Sequence, residues 1–217
     1  MQNFILAIIW ITYCALHSIL ITPSVTNFVK QRFGSRFRYY RLAYNLFSIV
    51  SLIPILLYTH AHKQTTFFIW DGYLLPIRYI LLAAGMFIFI SGARHYDMST
   101  FLGLRQIRVK VNHNLINASG ELDASGILGF VRHPFYTAIL PLIWATNLDT
   151  TTLIVNIILS IYVVTGTLLE ERKLIQEFGN DYRDYQKKVS MLFPLKWIKA
   201  RFCIQISRAV GTWFRKK

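Results

Sequence analysis

The chain has 217 residues, 54% of them hydrophobic and 16% charged, with a mean hydropathy of +0.39. Soluble domains carry about 25% charged residues, so this composition argues against a water-soluble domain and for an integral membrane protein. The 24 Lys and Arg against 10 Asp and Glu give a formal net charge of +14; on a chain of apolar runs that charge reads as basic loops meeting anionic membrane lipids, not as a nucleic-acid surface.

Five membrane spans are expected in chain order. The first runs from about Phe4 to Ile21 and is closed by Thr22-Pro23-Ser24. No Lys or Arg precedes Lys30, so the start lacks the basic segment of a cleavable signal and the first span is expected to stay. The second runs from Leu42 to Tyr58 with Pro54 inside it, and the third from Tyr79 to Ala93. The fourth, Phe135 to about Thr146, is too short to cross ~30 Å at 1.5 Å per residue. It is therefore expected to begin near Gly126 and to bend at Pro134. The fifth runs from Thr151 to Leu169, joined to the fourth by the short turn Asn147-Leu148-Asp149-Thr150, which makes the two antiparallel neighbours.

Charge sets the orientation. Lys30, Arg32, Arg36, Arg38 and Arg41 follow span 1; Arg94, Arg105, Arg108, Lys110 and Arg132 follow span 3; twelve Lys and Arg follow span 5. The pieces between hold almost none. The positive-inside rule then places the N-terminus outside and the C-terminus in the cytosol. The expected fold is an all-α integral membrane bundle of about five transmembrane helices with a cytosolic C-terminal helical cap. Its expected units are residues 1–125 (three spans and a loop), 126–194 (hairpin and cap) and 195–217. That last stretch, with seven Lys and Arg and no acid among Trp197, Ile198, Phe202, Trp213 and Phe214, reads as an interfacial amphipathic helix.

The hairpin brings two polar clusters to one membrane face. In Arg132-His133-Pro134-Phe135-Tyr136, the proline restricts the backbone of His133, and Arg, His and Tyr offer donors for an anion or a polar cofactor. The same residue types also serve as plain interfacial anchors. Glu170, Glu171 and Arg172 stand at the end of span 5, where the helix dipole disfavours anions. Acids in that place suggest a cationic or hydroxyl-bearing partner, or pairing with Arg132 or Arg172. Beyond them Leu174, Ile175, Phe178, Tyr182, Tyr185 and Val189 recur at helical spacing. Gly179 is expected to end one helix, Asp181 and Asp184 to start another, and Pro194 to stop it. Tyr182 and Tyr185 either pack or cover the hairpin mouth. His17 and Ser18 form a polar spot late in span 1, as a border of an acceptor cavity or as a helix–helix hydrogen bond. His95 and Asp97 open the loop after span 3. His60 and His62 have no further ligands, and no metal is expected. Cys14 and Cys203 are too few for a disulfide framework.

The ordered pattern RHPFY, a two-span hairpin, LEERKL, FGNDYRDY and a closing proline, covering Gly126–Pro194, resembles the isoprenylcysteine carboxyl methyltransferase and phospholipid methyltransferase superfamily. WATNLDTTTLIV is similar to the methanethiol S-methyltransferase group; LHSILI, YRLAYN and DMSTFLGLRQ resemble that group and the NnrU-type membrane proteins. The resemblance implies S-adenosylmethionine as methyl donor. It implies cofactor binding by Arg132, His133, Tyr136, Glu170, Glu171, Tyr182 and Tyr185, with Arg132 and Arg172 as the catalytic cations. Glu171 is expected on the donor's ribose or positive end. His17, Ser18 and His95 are the candidates for the acceptor, a small thiol, an isoprenylcysteine carboxylate or a lipid. Two positions depart from the family pattern: Ala138 where it has glycine, and Leu128 where it often has an aromatic residue. Two other readings stay open, an NADPH-dependent sterol-type membrane reductase and a non-catalytic membrane component on the same scaffold.

Overall fold

A run of uncharged side chains can enter a bilayer only if its backbone hydrogen bonds close within the run, which makes it a helix. The computed structural model, which describes residues 1–108 and 124–201, follows that rule. Its elements are α1 (Gln2–Leu20), α2 (Pro23–Phe33), α3 (Tyr40–Ala61), α4 (Leu75–His95), α5 (Met98–Leu102), α6 (Arg105–Arg108), α7 (Pro134–Trp144), α8 (Thr150–Phe178) and α9 (Asn180–Lys188), with short 3-10 turns at Gly34–Tyr39, Gly72–Leu74 and Gly126–Gly129. Among the described residues, β pairing is confined to two isolated bridges, Phe68 with Leu148 and Val131 with Ser190. The protein is thus an all-α, multi-pass membrane bundle. The segments holding α1, α3, α4 and α8 are each long and apolar enough to cross a membrane. Their outward side chains, such as Leu46 (61% exposed), Ile49 (62%) and Phe87 (67%), are tolerable only against lipid.

Successive long helices run antiparallel. At one end Gln64 Nε2 donates to Asn3 Oδ1 (2.8 Å), Thr151 Oγ1 to the His62 carbonyl (2.7 Å) and Arg78 Nε to the Ala145 carbonyl (3.0 Å). Near that end Leu6, Trp10 and Val155 form a buried core, packed by Tyr13, Leu52, Ile55 and Tyr58. At the other end Tyr40 OH donates to the Leu20 carbonyl (2.6 Å) and Arg41 Nε to the Phe101 carbonyl (2.9 Å). The cations of α2 and of the 3-10 turn after it gather at this second end.

Two expectations about helix ends need correction. The fourth apolar helix does not begin near Gly126. Gly126–Gly129 is a separate 3-10 turn, and α7 starts at Pro134 with His133 as its N-cap. Residues 131–133 are instead extended and run beside residues 190–191: Arg132 N–H donates to the Ser190 carbonyl (2.9 Å) and His133 N–H to the Met191 carbonyl (3.3 Å). A helix there would forfeit that pairing, and the proline disfavours helical geometry at residue 133. At 11 residues and about 16 Å, α7 reaches only part way through a bilayer. Pro194 likewise does not end the cap. That element stops at Lys188, and residues 195–201 after the proline are helical again, consistent with proline at a helix start. The rest of the expected amphipathic tail lies outside the described residues. The expected polar loop after span 1 holds α2, capped by Thr22 with Pro23 in its first turn.

The antiparallel pairing of the fourth and fifth apolar helices holds. Asp149 caps α8 through Thr152 N–H (2.6 Å). Trp144 Nε1 reaches Ser160 Oγ (3.0 Å) and Asn156 Nδ2 the Ile143 carbonyl (2.9 Å), so α7 and α8 lie side by side. Against its other face α7 packs closely on α4. A Cβ built on Gly85 would stand 2.8 Å from Leu142 Cγ and 3.1 Å from the Ala138 carbonyl oxygen. Ala138, the departure from the family glycine, is fully buried at this helix contact. Gly85→Val is expected to lower stability by about 1–3 kcal/mol through overpacking, read as an earlier thermal transition in detergent; an unchanged transition would mean that α4 and α7 do not approach this closely.

Candidate functional site

At 29 residues α8 is about 44 Å long. It outruns the ~30 Å hydrocarbon layer, so its last turns project beyond the bilayer with Glu170 and Glu171 on them. Gly179, at φ +57°, then breaks the helix and lets α9 fold back. Three segments therefore converge: the N-terminus of α7, the end of α8, and α9 with the strand-like stretch after it.

The Glu171 carboxylate is their meeting point. Arg132 grips it with two parallel bonds, Nε to Oε1 (2.8 Å) and Nη2 to Oε2 (2.7 Å). His133 Nε2 donates to Oε1 (2.8 Å), Tyr182 OH donates to Oε1 (2.7 Å), and Gln186 Nε2 donates to Oε2. Arg132 Nη1 donates to the carbonyls of Val189 and of Gln186 (3.3 Å). The side chains of Arg132, Glu171 and His133 are only 7%, 8% and 4% exposed. In this arrangement the chain's own donors surround the carboxylate, and Glu171 holds Arg132, His133 and α9 in place.

Its neighbour differs. One helical step turns a side chain by about 100°, and the Glu170 side chain emerges 42% exposed, with Oε2 3.7 Å from His133 Nδ1. The Tyr136 hydroxyl interacts electrostatically with the same carboxylate. The imidazole and phenol rings are 5.9 Å apart. Gly166, one turn before Glu170, leaves open the space above the Tyr136 hydroxyl, which a Cβ would face at 3.8 Å.

Burial of the His133 ring opposes its charging, but the carboxylates of Glu170 and Glu171 outweigh it and raise its pKa above the ordinary value. Burial, and then donation to Glu171, raise the pKa of Tyr182, which stays a donor. A raised histidine pKa contributes stability that is complete below about pH 6.5 and is lost as pH rises through the folded-state value. The thermal transition of the protein is expected to fall over that range, and His133→Asn is expected to flatten the fall. A variant with the same pH slope as the parent would show that the ring is not charged in the folded protein.

The other candidates divide. Tyr185 OH donates to the Leu128 carbonyl (2.6 Å), tying α9 to the 3-10 turn; it packs beside Tyr182 outside the carboxylate cluster. Arg172 is exposed and outside the cluster. His95 Nδ1 contacts the Ser91 carbonyl (2.9 Å), and its ring covers Gly126, where a Cβ would fall 2.3 Å from Nε2. His17 and Ser18 lie deeper, bonded to α3 and α8. Sequence reasoning missed two groups. Gln186 completes the Glu171 shell; it stands four residues after Tyr182, the spacing that puts both on one face of α9. Thr137 Oγ1 donates to the Leu192 carbonyl (2.8 Å) and anchors the stretch after α9.

The sequence model of the NnrU protein family matches residues 4–212. The chain belongs to the NnrU family. This NnrU-family chain is also similar to proteins named methanethiol S-methyltransferase. It is 45% identical over 65 residues to that of Pseudomonas deceptionensis, covering 30% of this chain and 25% of that one. It is 35% identical over 109 residues to methanethiol S-methyltransferase 2 of Bradyrhizobium diazoefficiens, covering 49% and 40%. With that of Crocosphaera subtropica it shares 28% over 161 residues, covering 71% and 60%. The chain thus spans between a quarter and 60% of the length of these relatives. No solved structure matches it. The NnrU family and these relatives agree with the wider isoprenylcysteine carboxyl methyltransferase-like superfamily suggested by RHPFY and LEERKL.

Proposed function

We propose that this protein is an integral-membrane methyltransferase that uses S-adenosylmethionine and methylates a small thiol. The observation that carries the reading is Glu170: a half-exposed carboxylate 3.7 Å from His133, next to the buried pair of Glu171 and Arg132. A sulfonium donor is a cation with an amino group and ribose hydroxyls. It requires an accessible anion with neighbouring hydrogen-bonding groups, and Glu170, with His133 and Tyr136 near it, supplies them. The names of the relatives support the same chemistry.

When bound, the donor supplies an already activated methyl group to an attacking thiolate. The chain's residues then have to bind, orient and exclude water. Glu170 holds the positive end of the donor. Tyr136 and His133 orient its polar groups. Arg132 and Glu171 fix the backbone between residues 131 and 133 against the stretch after α9, so that the site is formed before ligand arrives. Residues 126–194 act as the donor-binding unit. The basic end, carrying this site, faces the cytosol and anionic lipid, with the N-terminus outside.

The test is purified protein in detergent, titrated with labelled S-adenosylmethionine and with NADPH, then given thiols, prenylcysteine and phosphatidylethanolamine as acceptors. Donor binding with label transfer to a thiol is expected. NADPH binding alone would establish the sterol-type reductase reading, and binding of neither would establish a non-catalytic component.

A further inference from the structure

The imidazole of His133 stands between two carboxylates that differ in kind. Nε2 lies 2.8 Å from Glu171 Oε1, and Nδ1 lies 3.7 Å from Glu170 Oε2. Glu171 accepts from the Arg132 guanidinium on both of its oxygens, the mark of an ionised carboxylate. An ionised carboxylate only accepts, so the proton of a neutral His133 ring sits on Nε2. Nδ1 is then the nitrogen whose proton comes and goes. At 3.7 Å its contact with Glu170 is longer than a hydrogen bond and is still open.

The other charged and titratable groups around the ring are engaged elsewhere. Arg132, one residue before it, turns Nε and Nη2 to Glu171 and Nη1 to the carbonyls of Gln186 and Val189. From α9, Tyr182 OH donates to Glu171. From α7, the Tyr136 ring lies 5.9 Å away, and its hydroxyl interacts with Glu170. Among the described residues, His133 is the one basic side chain within ion-pair distance of Glu170.

Each state of Nδ1 therefore gives Glu170 a different task. With the proton on, an N–H faces the carboxylate and the charge of the ring offsets it. With the proton off, a lone pair and a carboxylate face the same space, reached from the half-exposed side of Glu170. Two acceptors side by side favour a cation over the same molecule without its charge. S-adenosylmethionine and S-adenosylhomocysteine differ in this way, because loss of the methyl group turns a sulfonium into a neutral thioether.

We propose that His133 is the specificity-determining residue by which the site tells charged donor from neutral product: the positive end of the donor and the Nδ1 proton exclude one another at Glu170. The inference rests on the methyl-transfer reading above and adds to it how donor and product are distinguished. As the donor enters, the Nδ1–H bond breaks, its electron pair stays on nitrogen, and the proton leaves to water. When the thioether remains, Nδ1 takes a proton from water and Glu170 regains a partner of the chain's own. Burial of the ring opposes its charging, yet the two carboxylates hold its pKa above the ordinary value of about 6.5. Donor affinity thus falls as pH drops through that raised value, and product affinity does not follow.

The experiment titrates the full chain in detergent with S-adenosylmethionine and with S-adenosylhomocysteine by calorimetry, from about pH 6 to pH 9. The ratio of donor to product affinity is expected to rise with pH, by up to about tenfold per unit through the titration. Parallel runs in phosphate and Tris, whose heats of ionisation differ, are expected to show proton release with the donor that the product lacks. His133→Asn, which has an N–H but no titrating nitrogen, is expected to hold the ratio at its high-pH level throughout. A parental ratio constant with pH, or a slope that survives in His133→Asn, overturns the role of His133 and leaves the donor reading standing. Equal proton release with both ligands does the same, and it is read on the parent even where the variant does not fold. Binding of neither ligand at any pH removes the donor reading and this inference with it.

Discussion

Glu171→Ala is expected to cost about 3–5 kcal/mol, the usual penalty for breaking a buried ion pair and stranding its partner, and to loosen the polar end of the bundle. The reason lies in what each partner holds. Glu171 accepts from Arg132, His133, Tyr182 and Gln186, and Arg132 in turn holds the carbonyls of Gln186 and Val189. Removing the carboxylate leaves a buried guanidinium with no counter-charge and unties α9 from α7. Denaturation in detergent reads the global loss, and proteolysis reads the local one. Replacing both charges at once, Glu171→Leu with Arg132→Met, is expected to cost less than the sum of the single changes, because no charge is then left buried and unpaired. A single-variant cost under about 1 kcal/mol, the range of exposed pairs, would show that the pair is solvated.

Glu170→Gln should behave in the opposite way. Its side chain is 42% exposed and its contact with His133 is 3.7 Å, so little folding stability depends on it. Losing one charge-assisted contact of about 1.5–3 kcal/mol should weaken S-adenosylmethionine binding roughly ten- to a hundredfold, with the thermal transition almost unmoved. Calorimetry on the purified variant checks both. Unchanged donor affinity would remove Glu170 from the site. The two variants together separate a carboxylate that builds the site from one that uses it. A double change would be uninformative, because the fold would fail first.

Much of this architecture could be read along the chain. The apolar runs set the long helices, because an uncharged backbone in lipid must satisfy its own hydrogen bonds. Asn147–Thr150 is too short for anything but an antiparallel turn, so His133 and Glu171 had to return to one end. Gly179 announced the break between α8 and α9. Where the reading went astray, the cause was non-local. The length needed to cross a bilayer extended the fourth span back to Gly126, whereas residues 131–133 pair with 190–191, a partner almost 60 positions away. Pro194 read as a stop, whereas the preceding helix ends at Lys188 and residues 195–201 after the proline are helical.

The sequence by itself determined the solvent, the helices, the hairpin and the presence of two adjacent acids near an arginine and a histidine, because length, polarity and turn chemistry are local quantities. Which acid is buried in an ion pair and which stays half-exposed was decided only in three dimensions. Neighbouring residues on a helix point about 100° apart, and the direction in which each points at Arg132 is set by how α8 sits against α7 and α9. The same holds for His17: its type was visible, but its contacts with Tyr44 and Ser48 on α3 arise only in the folded chain.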